Sequence, residues 1–253
     1  MSDSGAEDEG PRLVRCGDHG EAYETYVCRH LAADPLQAWF GGYPEEDNPW
    51  PDAWCAECNG VYLREGGQWS DAATDAIGIK LICSECYMDG RSRSVEHLGP
   101  EQRTRWDAYV AQCCAELDLK QERMIRELGL EEHERWDVDE GAGRLVFSNN
   151  GVAAVVAEIE VVGSLSSISD TWLWSWSNFS LPQPVRGRIT KVREVGEREG
   201  FSHLTTPKWA ATQHDAWHMT AVAARALGAI GAYRAPGEKV VTFLAIIAAR
   251  RTD

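Results

Sequence analysis

Eight side chains of the zinc-ligand type fall within the first 86 residues, in four close pairs: Cys16-x2-His19, Cys28-x-His30, Cys55-x2-Cys58 and Cys83-x2-Cys86. A tetrahedral metal needs four soft or borderline donors, and a tight backbone knuckle delivers two of them from residues two or three apart. Four pairs therefore predict two four-coordinate sites. No other feature constrains the fold as strongly, because a stretch tied at two ions is held by ligation rather than by a large core. For structural Zn²⁺ that ligation is worth on the order of 10 kcal/mol at neutral pH.

Spacing leaves the pairing of the ligands open. Chain order groups Cys16, His19, Cys28 and His30 on one ion and Cys55, Cys58, Cys83 and Cys86 on the other. A cross-braced arrangement groups Cys16, His19, Cys55 and Cys58, with Cys28, His30, Cys83 and Cys86 as the second set. Cys28-x-His30 is the weak pair, since one intervening residue gives strained geometry for two ligands on one ion. Catalytic zinc keeps an open position with three protein ligands, and four full pairs leave none, so two structural Zn²⁺ are expected.

Disulfides are the competing reading of so many cysteines. Against it stand His19 and His30 in knuckle positions, the CxxC spacing and the lack of an export signal in the acidic start at residues 1–10. Cys113 and Cys114 lie apart, inside a helical pattern, and read as small buried hydrophobes or surface thiols.

With 253 residues, 43% of them hydrophobic, the chain has material for two ordinary domains. No window reaches the run of about 18–20 apolar residues that spans a bilayer. The expectation is a cytoplasmic protein without a membrane segment. Charge is uneven: residues 1–100 hold 7 Lys+Arg against 19 Asp+Glu, and residues 101–253 hold 18 against 21. A negative field of that kind repels nucleic acid and anionic lipid and attracts basic proteins, or simply keeps the surface soluble.

The domain reading is an acidic disordered tail at 1–12, a loop-rich zinc module at 13–98, and an α+β domain at 99–253. In the module, residues 79–82 read as a strand feeding Cys83, with a helix from about Tyr87. Trp39, Phe40, Tyr43, Trp50, Trp54, Tyr62 and Trp69 either roof the metals or form a docking patch, and roofing is favoured in a domain so short of apolar groups. Pro100 and Glu101 open a long linking helix that runs to Gly129, with a break near Asp118. Beyond it the period changes to that of strands: Trp136/Val138, Leu145/Phe147 and the run 152–162, with Asn150-Gly151 as a hairpin signal. Helices at 185–199 and 211–227 and a hairpin of 230–233 with 240–247 complete a mainly antiparallel sheet packed with two helices.

Trp172, Trp174 and Trp176, in one strand 171–178, would share a face, with Leu173, Ser175 and Ser177 on the other. Such a row is either covered by the Ala-rich helix or free to stack on a ligand, with Asn178 as a polar anchor. His214 and His218 lie one turn apart on that helix; a surface pair is the ordinary reading, a chelating pair the other. No nucleophile elbow, phosphate loop or dinucleotide fingerprint is present.

The stretch Thr171-Trp-Leu-Trp-Ser-Trp-Ser-Asn178, the helix after it, Leu204, Trp217 and Gly231-Ala-Tyr233-Arg-x-Pro236 resemble a bacterial family of uncharacterised domains that share a Trp-x-Trp-x-Trp-x-Asn strand, over residues 105–250. Tyr26-Val-Cys28-Arg-His30-Leu31, Pro51-Asp-Ala-Trp-Cys55 and Cys83-x2-Cys86-Tyr87 look like a cysteine-rich module of bacterial proteins. Neither resemblance implies an activity. Domains of this sort accompany bacterial conflict and immunity proteins.

The function expected from all this is a non-enzymatic bacterial zinc protein that binds a basic protein partner through its acidic module, in an immunity, toxin-neutralising or regulatory role. The alternative is an enzyme or small-molecule sensor with a pocket over the Trp172/Trp174/Trp176 face, near Asn178, His214 or His218. A nucleic-acid partner is disfavoured by the surplus of carboxylates.

Overall fold

The computed structural model describes residues 12–42, 44–95, 98–139, 142–178 and 180–252, without the side chains of 183–185. Except for Arg12, the expected acidic tail lies outside the described residues, as does Tyr43. The chain divides into two compact units, Met1–Leu98 and Gly99–Asp253.

The first unit is built on a repeated pattern in which a short strand ends at a cysteine and a helix starts there. Strand β1 (Leu13–Cys16) turns into β2 (Gly20–Cys28), and Cys28 begins α1 (Arg29–Ala33). Strand β3 (Trp39–Gly41) pairs with β4 (Ala53–Cys55), whose Cys55 begins α2 (Ala56–Arg64). After α3 (Asp71–Ile77), strand β5 (Ile79–Cys83) ends at Cys83, which begins α4 (Ser84–Ser94). The expected strand and helix around Cys83 are thus present. β2 is the hub: β5 runs antiparallel to it, with Glu24 opposite Cys83, whereas β4 runs parallel to it, with Val27 opposite Ala53.

A core does form here. Val27, Leu31, Trp39, Ala53, Ile77 and Tyr87 are buried together with Cys28, Cys55 and Cys58. Trp39 brings the edge of its indole close to α4 because the helix carries Gly90 there; a Cβ at that position would stand 2.8 Å from the ring. Fully buried Tyr87 satisfies its hydroxyl by donating to the Pro51 carbonyl at 2.8 Å, and the buried Arg91 guanidinium donates to the same hydroxyl at 2.6 Å.

The second unit is α+β with an antiparallel sheet, as the periodicity predicts. Helix α5 (Pro100–Leu128) is continuous, and the expected break near Asp118 is absent, since that carboxylate faces solvent and the apolar stripe Trp106, Val110, Cys113, Leu117 and Met124 runs on past it. Gly129, at φ 66°, ends it. The sheet follows: β6 (Arg135–Asp139), β7 (Arg144–Asn149), β8 (Val152–Ser166) and β9 (Thr171–Trp174). Then come α6 (Gln183–Glu199), α7 (Ser202–Thr205), β10 (Lys208–Ala210), α8 (Gln213–Leu227), β11 (Gly231–Ala235) and β12 (Val240–Arg251).

Strand β8 is shared between two arms of the sheet. Its first half pairs with β7 and its last residues with β9, while β12 lines its other edge for most of its length. Helix α8 lies on β8 and β12, α6 reaches β8, and α5 packs on α8 and β11. Thr212 and Asp215 open α8 with a reciprocal capping box, each side chain accepting from the other's backbone N–H.

The tryptophan row departs from expectation. Strand β9 ends at Trp174, and Ser175–Ser177 turn into a 3₁₀ helix, because Ser177 Oγ donates back to the Trp174 carbonyl and Ser175 Oγ to the Val161 carbonyl. Trp172 and Trp174 share a strand face, but Trp176 sits on the turn. All three indoles are buried. Trp172 meets Trp174 edge-on at 5.2 Å and Phe243 at 5.6 Å, Trp174 Nε1 donates to the His203 carbonyl, and the Arg193 guanidinium lies over Trp176. Burying an indole of 150–250 Å² contributes about 4–6 kcal/mol, so this packed face is a main source of the unit's stability.

Candidate metal centres

Strand direction decides which ligands meet. The hairpin turn between β1 and β2 holds Cys16 and His19, and antiparallel β5 delivers Cys83 and Cys86 to that same end of β2. Parallel β4 delivers Cys55 and Cys58 to the opposite end, where Cys28 and His30 wait. The sets are Cys16, His19, Cys83 and Cys86, and Cys28, His30, Cys55 and Cys58, each with its donor atoms within 4.8 Å of one another. This nested pairing corrects both groupings drawn from spacing: neither the sequential nor the cross-braced one occurs.

The geometry fits a tetrahedral ion. Metal–sulfur bonds of about 2.3 Å and metal–nitrogen bonds of about 2.05 Å place tetrahedral S···S edges near 3.8 Å and S···N edges near 3.6 Å. Cys16 Sγ lies 3.8 Å from Cys86 Sγ, and His19 Nδ1 lies 3.7, 3.5 and 3.4 Å from the sulfurs of Cys16, Cys83 and Cys86. In the second set His30 Nδ1 is 3.2 Å from Cys58 Sγ and 3.6 Å from Cys55 Sγ. All eight cysteines of the chain are free thiols. Two Cys₃His clusters able to hold metal ions are therefore present.

Local structure explains why these knuckles suit metal. Cys28, Cys55 and Cys83 each take the N-cap position, and Cys58 and Cys86 sit in the first turns of α2 and α4, where free backbone N–H groups and the helix dipole favour thiolate. Cys83 Sγ accepts from the Cys86 N–H, and Cys28 Sγ accepts from the Cys55 N–H, both at 3.4 Å. The cramped spacing of Cys28-x-His30 is relieved because the chain changes from strand to helix at Cys28, which swings His30 back toward the sulfurs.

The two clusters differ in setting. Cys28, Cys55 and Cys58 are buried, whereas His19 is exposed and Cys16 and Cys86 are half-buried. Hydrogen bonds from the backbone of Asp18 and His19 and from Cys83 lower the Cys16 thiol to about 6, and those from Cys55 and the backbone of Leu31, Cys55 and His30 lower Cys28 to about 5. Cys55 is raised by its bond to Cys28 and by burial, Cys58 is pushed up to about 11 by burial, and Cys86 to about 12 by burial. Cys16 and Cys28 are thus the readiest thiolates of the metal-free clusters, and a cation that binds there displaces the protons that Cys55, Cys58 and Cys86 hold.

Spacing gave no sign of Asp89, whose Oδ2 lies 3.5 Å from His19 Nε2. It holds the ring by the nitrogen that faces away from the sulfurs, the usual outer partner of a ligating histidine. Its position three residues past Cys86 on the same helix is the signal that could have found it. Of the expected aromatic roof, Trp39 is in the core that contains Cys28, Cys55 and Cys58, and Trp50, Trp54 and Trp69 pack on its margin.

The other candidate residues do not come together. His214 and His218 have their rings 4.0 Å apart on α8, one exposed and one half-buried, and among the described residues no third Cys, His, Asp or Glu donor joins them. Burial, then the neighbouring His214, lowers the His218 pKa. Asn178 does not anchor anything on the indoles: its Oδ1 accepts from the backbone and hydroxyl of Ser180 in a local turn. Trp172, Trp174 and Trp176 are 0, 0 and 3% exposed, so their indoles are covered by the protein's own packing.

Fold and sites together define a two-part protein, a Cys/His metal-cluster module followed by an α+β domain. The second part carries the family likeness. Residues 107–247 match the family described as "Family of unknown function (DUF6882)", and the chain belongs to that family. No curated protein and no solved structure matches the chain. No helix among the described residues is long and apolar enough to cross a membrane.

Proposed function

We propose that this is a bacterial, cytoplasmic zinc protein without catalysis of its own, in which two structural Zn²⁺ shape an acidic module that docks a basic protein, in an immunity or regulatory role. The observation that carries the reading is the closure of both clusters: three sulfurs and one nitrogen fill all four tetrahedral positions and leave no place for substrate or activated water. Three thiolates against one Zn²⁺ leave each site at about −1, which adds to an excess of 19 acidic over 7 basic residues in the first hundred. The soft donor set favours zinc over magnesium or calcium.

The test uses the zinc-loaded full chain against basic proteins encoded beside its gene. A complex whose affinity falls steeply as salt is raised supports the reading. Absence of any complex at low salt contradicts it.

One observation favours a second reading, a small-molecule sensor. A cavity of about 530 Å³ is lined by Gln121, Trp136, Gln213, Trp217, Tyr233, Arg234 and Phe243, a size within the range of small-molecule sites. It lies beyond Phe243 from Trp172 rather than over the indole row. Metabolite-dependent shifts in the Trp136 and Trp217 indole resonances are the expected sign of such a ligand.

A further inference from the structure

The first unit contains a second feature, which shares only Cys28 with the metal clusters. A cavity of about 230 Å³ opens between β2, β4, α3 and the start of β5, with Tyr26, Trp54, Trp69, Ile77 and Ile79 among its walls and Asp52 as its carboxylate. We propose that this cavity receives one alkylammonium group, the side chain of a lysine in a basic protein segment. The inference rests on the basic-partner reading above and names the group that the module recognises.

Three observations single out this occupant. The volume is below that of drug-sized ligand sites and suits one aliphatic side chain with its charged head. Trp54 and Trp69 meet at 5.2 Å and 84°, forming an aromatic corner whose faces attract a cation. Tyr62 packs against both rings, at 5.2 and 5.1 Å, and Trp54 Nε1 donates to Asn59 Oδ1 at 3.0 Å, so the corner is set before any ligand arrives.

Charge then chooses a cation over a neutral alkyl group. Asp52 is the one carboxylate in the lining and none of the lining residues is basic. Helix α3, which supplies Thr74 and Ile77 to the wall, carries Asp71 and Asp75 exposed beside it. Asp52 is exposed to solvent as well as lining the cavity, so it can pair with the head of an incoming ammonium group, and the partial burial that raises its carboxyl from the ordinary range is opposed by that cation.

The experiment uses the metal-loaded full chain and three probes: choline, its uncharged isostere 3,3-dimethyl-1-butanol, and an octalysine peptide, read by the Nε1–H resonances of Trp54 and Trp69. Choline and octalysine are expected to shift both indoles, the isostere to bind about tenfold more weakly, and Asp52→Asn to weaken choline about fivefold or more while leaving the isostere unchanged. Metal content of the variant reports that it is folded. Equal binding of choline and isostere, or octalysine binding that leaves the two indoles unmoved, overturns the cavity assignment; the second result leaves the acidic docking surface standing. Octalysine that fails to bind at low salt overturns both.

Discussion

Cys16 Sγ lies 3.8 Å from Cys86 Sγ, although 70 residues separate them in the chain. The first and last knuckles of the module therefore close one site, and the two middle knuckles close the other. Removal of ligands in pairs discriminates this nesting from every other grouping. Cys16→Ser combined with Cys86→Ser is expected to leave one bound ion per chain, because both changes fall on the same site. Cys16→Ser with Cys58→Ser is expected to leave none. Sequential or cross-braced sets predict loss of both ions from the first double variant, so metal analysis of that single sample decides between them.

The exposed cluster should yield its ion first. His19 is exposed and Cys28, Cys55 and Cys58 are buried, so a chelator is expected to remove metal in two phases, the fast one abolished in Cys86→Ser. One phase of full amplitude would contradict the difference in setting.

Thiol chemistry offers an independent count. Outside the clusters stand Cys113, buried against α8 with the Arg225 guanidinium at 3.8 Å and its thiol raised by burial, and half-buried Cys114. In the metal-loaded protein a thiol reagent is expected to modify half-buried Cys114 before buried Cys113, burial raising both thiols, with the six cluster sulfurs reacting only after chelation. Rapid modification of a cluster cysteine before chelation is the contrary outcome.

His203 contributes an acid-side pH dependence to the second unit. Its ring stacks on Trp106 at 4.5 Å, meets Trp209 edge-on, and is buried, which lowers its pKa to about 3. The unfolded chain takes up a proton near 6.5 that the folded unit refuses, so stability is complete above about pH 6.5 and falls as pH is lowered toward 3, by at most about 1.4 kcal/mol per pH unit. Between pH 7 and pH 5 the loss attributable to this residue is about 2 kcal/mol. In His203→Phe, which keeps the stacking, the stability lost between pH 7 and pH 5 in denaturant unfolding is expected to shrink by about 2 kcal/mol; an unchanged loss would assign the acid sensitivity elsewhere.

Much of this was legible in the sequence, and the failures have a common cause. The ligands announce themselves because metal chemistry needs particular atoms at short spacing, and the strands, the Asn150-Gly151 turn and both later helices follow local periodicity. The pairing of ligands does not, since it depends on β5 running antiparallel and β4 parallel to β2, and no local pattern near Cys55 or Cys83 encodes that direction. Trp176 leaves its strand because two serine hydroxyls bond back to the main chain, a competition that alternation alone misses. Asp118 looks like a break in α5 only until its position on the solvent face is known.

Gly163 carries a packing role equally invisible from local sequence. A Cβ there would stand 2.5 Å from Trp172 Cζ2 and 2.7 Å from the Leu173 carbonyl, so strand β8 needs glycine where the indole crosses it. Gly163→Ala is expected to destabilise the second unit by about 1–3 kcal/mol, measured by denaturant midpoint, while metal content stays unchanged. An alanine variant as stable as the parent would mean that the Trp172 ring does not lie across the strand.

Native mass spectrometry of the purified full chain, with zinc in the growth medium and no added chelator or oxidant, tests the whole account most directly. The result expected is the chain mass plus two Zn²⁺ with all eight cysteines unoxidised, and X-ray absorption showing three sulfurs at about 2.3 Å and one nitrogen at about 2.0 Å per metal. A chain free of bound metal, or one in which Cys55 is bridged to another sulfur, would contradict it.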